Sequence, residues 1–171
     1  MIFLSLGSNL PSKYGDRFDN LKKSIFYIVR SGIVVNCVSS FYETLSYPDN
    51  SKPKFINIVI SIKTNMQPTE LMSTLINIEE KLDRKRSKKN DPRTCDIDII
   101  DYDKKILNFK YKNTNLEIPH KKISVRNFVL YPLEEIEPNW KHPKTKENIQ
   151  TLIKALPEED RKSILKLNKM I

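Results

Sequence analysis

The sequence predicts an α+β fold, with a ferredoxin-like βαββαβ core, an antiparallel sheet with helices packed on it, and a C-terminal extension. Two segments carry apolar residues at helical spacing, and four others are alternating or β-branched. They follow one another in the order strand, helix, strand, strand, helix, strand. The 171 residues, 39% of them hydrophobic, fit one domain with a single core. We expect a single domain over 1–171, with a core of about 1–156 and a charged tail at 157–171.

The first strand and helix occupy the first thirty or so residues. Residues 2–7 alternate weakly and end in Gly7-Ser8-Asn9, which is typical of a strand running into a turn. Residues 16–31 have apolar side chains at helical spacing, and Gly32 provides a natural stop for this helix. The apolar positions that indicate the helix are Leu21, Ile25, Ile28 and Val29.

Two further strands are predicted, separated by a loop. Residues 33–42 are β-branched and aromatic, which indicates one strand. Residues 47–53 are rich in Pro, Asp, Asn and Ser and predict a loop. Residues 55–63 then alternate strictly, which predicts a strand with one strongly apolar face. That face consists of Ile56, Ile58, Ile60 and Ile62.

A second helix and a fourth strand complete the predicted core. The helix opens with Thr69 as its expected N-cap and carries Leu71, Leu75, Ile78 and Leu82 on one face. The strand covers 94–102. The less regular remainder predicts a hairpin near 106–118, a helical turn at 124–131, a helix at 147–155 and a peripheral helix in the tail.

Composition narrows the cellular setting. The longest apolar stretches are far too short to span a bilayer, and the N-terminus is typical of a strand and lacks the features of a secretory signal. Cys37 and Cys95 form no CxxC pair, so we expect two buried free thiols in a reducing cytoplasm and no membrane partner. With only two histidines and no ligand spacing to the cysteines, a zinc site is not expected.

The sharpest chemical feature is Asp96-Ile97-Asp98. Residues two apart on a strand share a face, so both carboxylates project together with their Cα atoms about 7 Å apart. Adjacent carboxylates repel each other unless a cation lies between them, and such oxygen ligands suit Mg²⁺. An isolated pair of this kind is more often a solvated strand face, but a basic segment stands directly before this one.

That basic segment runs from Lys81 to Arg93. Its arginines, Arg84, Arg86 and Arg93, can close over a triphosphate and stabilise charge as it moves to a leaving group. The net charge of +9 allows two partners, a nucleic acid or a small polyphosphate. The order of elements also occurs in RNA-recognition modules, but the strand at 55–63 lacks the Lys/Arg-Gly-Phe motif and the paired aromatics that those modules use.

With these motifs in place, the chain closely resembles the 6-hydroxymethyl-7,8-dihydropterin pyrophosphokinase family, which uses ATP in folate synthesis. The matches follow the family's order over about residues 2–140, so their combined signal is far more specific than any one of them. They are Gly7-Ser8-Asn9, 38–44, 55–57, 92–98, 118–120 and 126–133.

The resemblance implies roles at the phosphate end of the site. Asp96 and Asp98 match ligands of two Mg²⁺ ions. Arg84 and Arg93 match arginines that contact the ATP phosphates and promote transfer, so these four residues are the expected catalytic set. The further ATP-binding positions that it implies are Glu79, Arg86, His120 and Arg126.

The resemblance also implies a pterin pocket. Asn57 matches an asparagine that pairs with the amide-like edge of the pterin, and Phe55 and Phe128 match two aromatics that stack on its ring. Gly7, Thr44 and Tyr47 are the other expected substrate-binding residues. An asparagine carries a donor and an acceptor, which complement adjacent N–H and C=O groups of the ring.

The implied activity is transfer of the pyrophosphoryl group of ATP to 6-hydroxymethyl-7,8-dihydropterin, with release of AMP, by a monomer that needs neither nucleic acid nor membrane. Two alternatives remain at this point, a basic nucleic-acid-binding module and a catalytically weakened homologue. The second is suggested by Asn90 and Asp91, which depart from the family's loop. Asn115 and Lys121 depart from it beside the nucleotide. No residue is an obvious general base.

Overall fold

The computed structural model describes residues 1–85, 91–111 and 114–169, with Thr114 and Asn115 described by their backbone. Strands and helices alternate in the predicted order, and a small hairpin and three further helices follow. The strands are β1 (Ile2–Ser8), β2 (Val34–Val38), β3 (Tyr42–Thr44), β4 (Phe55–Lys63), β5 (Asp96–Tyr102), β6 (Leu107–Tyr111), β7 (Thr114–Ile118) and β8 (Leu165–Lys166). The helices are α1 (Arg17–Arg30), α2 (Pro68–Lys81), α3 (Asn127–Ile136), α4 (Ile149–Ala155) and α5 (Glu158–Lys162), with a 3₁₀ turn at Ile123–Val125.

The main sheet is antiparallel and has the strand order β5-β1-β4-β3-β8, with β2 also paired to β4. Strands β2 and β3 lie end to end along β4, so together they act as the second strand of the predicted βαββαβ core. The predicted α+β class and antiparallel sheet are confirmed.

The two faces of this sheet differ. One face packs against α1 and α2 and is built from aliphatic side chains, including the four predicted isoleucines of β4, which are all fully buried. On the other face, Phe3, Val59 and Ile100 are buried in a second cluster with Trp140 and residues of α3 and α4. The rest of that second face, which carries Gly7, Asn57 and Asp96 in one register row, stays polar. We call this part the open half of the sheet.

Three boundary predictions need correction. The segment 33–42 is not one strand, because the Ser39 hydroxyl accepts the N–H of Val59 at 3.0 Å and interrupts the main-chain pairing. Helix α2 begins at Pro68 with Gln67 at the cap position, so Thr69 is not the N-cap. Proline favours the first helical position because its ring presets φ there. The predicted turn at 124–131 is a longer element, since α3 continues to Ile136.

One side-chain prediction is also wrong. Cys37 is exposed, whereas Cys95 is buried as expected. Val29 of α1 is exposed, so the buried stripe of that helix is narrower than its apolar pattern indicates. The tail adds, besides the expected short helix α5, the strand β8 on the edge of β3. Within the described residues, no helix is both long and apolar enough to cross a bilayer.

Candidate active site

The Asp96 carboxylate lies at the centre of the charged part of the open half. It accepts hydrogen bonds from Arg84 Nη1 at 2.6 Å and is paired with Arg93 Nη2 at 2.7 Å. Burial by itself would raise the pKa of Asp96, but the Arg93 and Arg84 guanidinium groups outweigh it and hold the pKa below its ordinary value. Asp96 is therefore kept ionised by two arginines.

Asp98 stands two residues further along β5 and faces the same side of the sheet. Its Oδ2 accepts a hydrogen bond from Arg126 Nη1 at 3.1 Å. Asp96 pairs in register with Gly7, and Asp98 with Ser5. The register therefore places both carboxylates on one face of β5, as predicted. Asp96 pairs with Arg84 and Arg93, and Asp98 pairs with Arg126.

Glu79 anchors this cluster from α2. The Glu79 side chain is buried, and Oε1 accepts the backbone N–H of Ile97 at 2.8 Å. The same oxygen is ion-paired with Arg84, which also contacts Asp96. Because β5 is an outer strand of the sheet, the N–H of Ile97 has no neighbouring strand to donate to, and Glu79 accepts it instead. The same carboxylate oxygen holds Arg84 in place.

Arg93 is held by the turn that follows β1. Its backbone N–H donates to Asn9 Oδ1 at 2.7 Å, and its carbonyl accepts from the N–H groups of Asn9 and Leu10. The Nδ2 of Asn9 donates to the Pro53 carbonyl at 3.0 Å, which ties this turn to the loop at 47–53. In the described part of the chain, Arg93 Nε is a buried donor with no hydrogen-bond partner. Since buried donors are normally satisfied, this one suits an acceptor that arrives with a ligand.

The expected pterin residues converge around the start of β4. Asn57 is buried and its Nδ2 donates to Thr44 Oγ1 at 3.0 Å, across the β3–β4 pair. Gly7 lies beside them on β1, where a Cβ would be 3.1 Å from Asn57 Oδ1 and 3.5 Å from the Phe55 ring. The close approach of three strands thus leaves the amide of Asn57 bordered by an aromatic ring.

The two aromatics are each covered by an arginine. The Arg93 guanidinium lies 5.1 Å from the ring centroid of Phe55, and that of Arg126 lies 5.4 Å from the ring centroid of Phe128. A guanidinium over an aromatic face is a favourable contact that a flat heterocycle can replace by stacking. Tyr47 differs from the others, since it is 84% exposed on its loop.

His120 follows the hairpin β6–β7 along the chain and lies close enough to Asp98 for the two charges to interact. Its Nδ1 accepts the N–H of Lys122 at 3.1 Å, so the neutral ring carries its proton on Nε2. Burial lowers the pKa of His120, although Asp98 opposes this effect. A cavity of about 490 Å³ borders His120 and is lined by Asn108, Phe109, Lys110, Leu116, Glu117 and Lys121. Arg86 and Asn90 lie outside the described residues.

The structure thus brings two groups of predicted residues together, the charged group around Asp96 and the polar–aromatic group around Asn57. Arg93 belongs to both, since it touches Asp96 and covers Phe55. The structure also adds Asn9, which was not among the predicted site residues. Asn9 belongs to the matched turn Gly7-Ser8-Asn9 after β1, but its contacts are with residues far away along the chain, so no local pattern indicated what it holds.

Comparisons with known proteins agree on one family. The family model described as 7,8-dihydro-6-hydroxymethylpterin-pyrophosphokinase (HPPK) matches residues 3–138. The 2-amino-4-hydroxy-6-hydroxymethyldihydropteridine pyrophosphokinase of Synechocystis sp. is 36% identical, over 90% of this chain and 74% of that protein. The protein of the same name from Aquifex aeolicus is 34% identical, over 83% of each chain.

Longer proteins also match. The folic acid synthesis protein fol1 of Schizosaccharomyces pombe is 33% identical, over 92% of this chain but 20% of its own length. A solved HPPK-DHPS in complex with substrates has the same fold, with a TM-score of 0.73 at 13% identity, over 99% of this chain and 48% of that one. The Plasmodium falciparum HPPK-DHPS has a TM-score of 0.68 at 15% identity and covers 88% of this chain. This chain spans 42% of that one.

Proposed function

The chain belongs to the 7,8-dihydro-6-hydroxymethylpterin-pyrophosphokinase family, and we propose that the open half of its sheet is the active site. The activity is transfer of the pyrophosphoryl group of ATP to 6-hydroxymethyl-7,8-dihydropterin in folate synthesis. The observation that carries the site proposal is Arg93, whose guanidinium contacts both the Asp96 carboxylate and the Phe55 ring. It joins the place for phosphates to the place for the pterin.

In the proposed reaction, the hydroxymethyl oxygen of the pterin attacks the β-phosphorus of ATP. A new O–P bond forms, the bond from the β-phosphorus to the α,β-bridging oxygen breaks, and AMP leaves. The hydroxyl proton passes to solvent, since no side chain is assigned as general base. Positioning and neutralisation of charge supply most of the catalysis in such transfers.

The arginines of this site neutralise the charge that develops. Arg84 and Arg93 approach Asp96 closely, at 2.6 and 2.7 Å, and the buried Nε–H of Arg93 remains to donate. Phosphate oxygens are strong acceptors for guanidinium groups, so both arginines can exchange a carboxylate partner for a phosphate without leaving the site. The buried carboxylate of Glu79 keeps Arg84 in reach during that exchange.

Asp96 and Asp98 fit Mg²⁺ as its protein ligands. Among the described residues there is no group of three or more His, Cys, Asp or Glu side chains placed to hold a metal by themselves. Two carboxylates on one strand instead suit the coordination preference of Mg²⁺, which usually binds one or two carboxylates together with substrate phosphates and waters. Bound there, Mg²⁺ supplies positive charge to the phosphates and polarises them. We propose two ions, as in the resemblance.

The pterin pocket is proposed around Asn57. The Asn57 amide can donate to and accept from the ring, and Gly7 leaves room for the ring edge beside it. Phe55 and Phe128 offer flat faces, with stacking worth about 0.5–1.5 kcal/mol beyond burial. We propose His120 and Arg126 for the nucleotide, together with the cavity that borders His120. Thr44 supports Asn57, and Tyr47 contributes from its loop.

We further propose that residues 1–171 act as one domain and as a monomer in the cytoplasm. The two cysteines are free thiols, which suits a reducing compartment. No nucleic acid or membrane partner is proposed, and the comparisons favour neither alternative function.

A coupled assay tests this proposal. The chain is incubated with ATP, Mg²⁺ and 6-hydroxymethyl-7,8-dihydropterin, and AMP and the pterin diphosphate are quantified by chromatography. We expect equimolar AMP and pterin diphosphate, with no AMP when the pterin is left out. Titration with a single-stranded RNA at low and high salt runs in parallel. Tight, salt-sensitive RNA binding without AMP release would refute the proposed function.

A further inference from the structure

The C-terminal segment 158–169 makes close contacts with the start of α3. We call this segment the C-terminal strap; it lies beyond the residues that the family model matches. Asn127 is 8% exposed, and its Nδ2 donates to the Asp160 carbonyl at 2.6 Å and to Ser163 Oγ at 3.2 Å. The first residue of α3 is therefore fastened to the strap by both protons of its amide.

Asn127 supports the first turn of α3. Arg126, at the N-cap position, makes no side-chain capping hydrogen bond. Asn127 Oδ1 instead accepts the N–H of Phe128 at 2.6 Å. A helix start leaves its first N–H groups without helical partners, and the amide of Asn127 satisfies one of them beside the two N–H groups, of Val129 and Leu130, that donate to the Arg126 carbonyl. The residues on either side, Arg126 and Phe128, are those proposed to bind substrates.

The strap is itself fixed to the rest of the fold. Strand β8 pairs with β3, with Lys166 opposite Tyr42, and the N–H of Leu167 donates to the Phe41 carbonyl at 2.9 Å. Lys166 Nζ also lies 3.2 Å from Glu135 Oε1 on α3. Glu135 in turn accepts from Tyr42 Oη at 2.9 Å. Because the strap is attached to β3 as well as to α3, it can hold the start of α3 in a fixed position relative to the sheet.

We propose that Asn127 and the C-terminal strap position Arg126 and Phe128 for substrate binding. This inference rests on the proposed function, since it assumes that those two side chains bind the nucleotide and the pterin. Binding groups work only when their supporting contacts hold them within about half an ångström of the productive geometry. The strap contacts of Asn127 include none of the four expected catalytic residues, and the link to that set is the Arg126–Asp98 pair at 3.1 Å, so the effect should appear chiefly in binding.

The test is Asn127→Ala, with Gln150→Ala as its matched control. Gln150 also donates a side-chain N–H to a backbone carbonyl, that of Pro138, at 2.7 Å, but it has no assigned part in the site. For Asn127→Ala we expect the KM for both substrates to rise about tenfold, which corresponds to about 1.4 kcal/mol, while kcat stays within twofold. Gln150→Ala should leave both constants unchanged. Circular dichroism checks that each variant is folded at the assay temperature.

Ser163→Ala provides a second, milder variant on the strap side. It removes one of the two acceptors of Asn127, and we expect KM to rise about threefold. An unchanged KM in both variants, or a loss of kcat with KM unchanged, would overturn the positioning role. Arg126→Ala separates the two levels of the proposal. If it raises KM while Asn127→Ala does not, the proposed function stands and this inference fails. If the unaltered chain releases no AMP, the proposed function itself fails.

Discussion

Strand β5 carries aspartates in two opposite settings. Asp96 and Asp98 lie at its start, on the open half of the sheet, where three arginines reach them. Asp101 lies near its other end and is fully buried beneath Trp140. Its Oδ2 accepts the indole N–H of Trp140 at 2.8 Å, and its Oδ1 accepts the N–H of Lys104 at 2.8 Å.

The pKa of an aspartate is therefore shifted in opposite directions at the two ends of this strand. Burial raises the pKa of Asp101, and the hydrogen bonds from Trp140 and Lys104 only partly offset it. Burial also acts on Asp96, but there the guanidinium groups of Arg93 and Arg84 reverse the shift and lower the pKa. A carboxylate kept ionised by groups that phosphate can recruit is suited to a reaction. A carboxylate satisfied by neutral donors in a core holds structure together.

The largest expected effect comes from removing a carboxylate of the open half. Asp98→Ala should lower kcat/KM for AMP formation about a thousandfold, equivalent to about 4 kcal/mol of transition-state stabilisation, because it removes a proposed Mg²⁺ ligand. The melting temperature should not fall, since the ion pair between Asp98 and Arg126 is partly exposed and such pairs contribute little stability. Asp103→Asn, at an exposed aspartate just after β5, is the control and should behave as the unaltered chain. Near-normal turnover in Asp98→Ala would refute the metal assignment.

The buried end of β5, around Asp101, should respond in the opposite way. Trp140→Phe leaves Asp101 Oδ2 without its donor and removes buried volume, which should lower the free energy of unfolding by about 3 kcal/mol. The KM and kcat of the folded protein should stay within twofold, because the indole of Trp140 donates to Asp101 and packs edge-on against His142, neither of which is an assigned site residue. Urea unfolding and steady-state assays at the same temperature measure both. A kinetic loss without a loss of stability would contradict the division of β5 into two roles.

A pH titration sharpens the contrast further. The lowered pKa of Asp96 means that its contribution to stability is present above the unfolded value of about 3.9 and is lost as pH falls through the folded pKa. The raised pKa of Asp101 has the opposite sign, so its contribution is greatest at low pH and declines as pH rises past that unfolded value.

Carboxyl NMR of the metal-free protein checks both signs directly. We expect the Asp101 resonance to titrate above the ordinary aspartate range and the Asp96 resonance below it. Substitution Arg84→Ala should move the Asp96 midpoint upward and leave that of Asp101 in place, because Arg84 acts on Asp96 by charge. Coincident midpoints in the unaltered protein would remove the physical basis of the comparison.

The sequence predicted the regular part of this molecule well, and the reason is physical. Alternation in β4 and helical spacing in α2 are local patterns, so Ile58 and Leu75 could be placed in the core without a structure. The pairing of Asp96 with Asp98 on one face follows from strand periodicity alone. The proposed roles of Asn57 and Phe128 came from the resemblance, since neither residue lies in a pattern that indicates a pterin.

The features that were missed depend on contacts between distant segments. Asn9 holds Arg93 across 84 positions of the chain, and no periodicity marks such a pair. Strand β8 is two residues long and exists because the edge of β3 offers it partners. Cysteine is a residue type that is usually buried, but Cys37 lies on an exposed stretch of β2. Burial at a sheet edge is decided by what covers the edge, which local pattern does not encode.

The smallest expected effect concerns the neutral end of the open half. Gly7→Ala would place a Cβ 3.1 Å from Asn57 Oδ1, so the amide must shift by a few tenths of an ångström. We expect the KM for the pterin to rise about threefold, equivalent to about 0.7 kcal/mol, with kcat and the KM for ATP unchanged. Ser5→Ala, the next position on the same face of β1, is the control, because it changes a side chain of this strand without adding a Cβ beside Asn57. An unchanged pterin KM in Gly7→Ala would show that the ring does not rest against Asn57, and the pocket would then have to lie elsewhere on this face. A rise in the ATP constant instead would place the nucleotide at this row, and the two ends of the open half would have to exchange their assigned substrates.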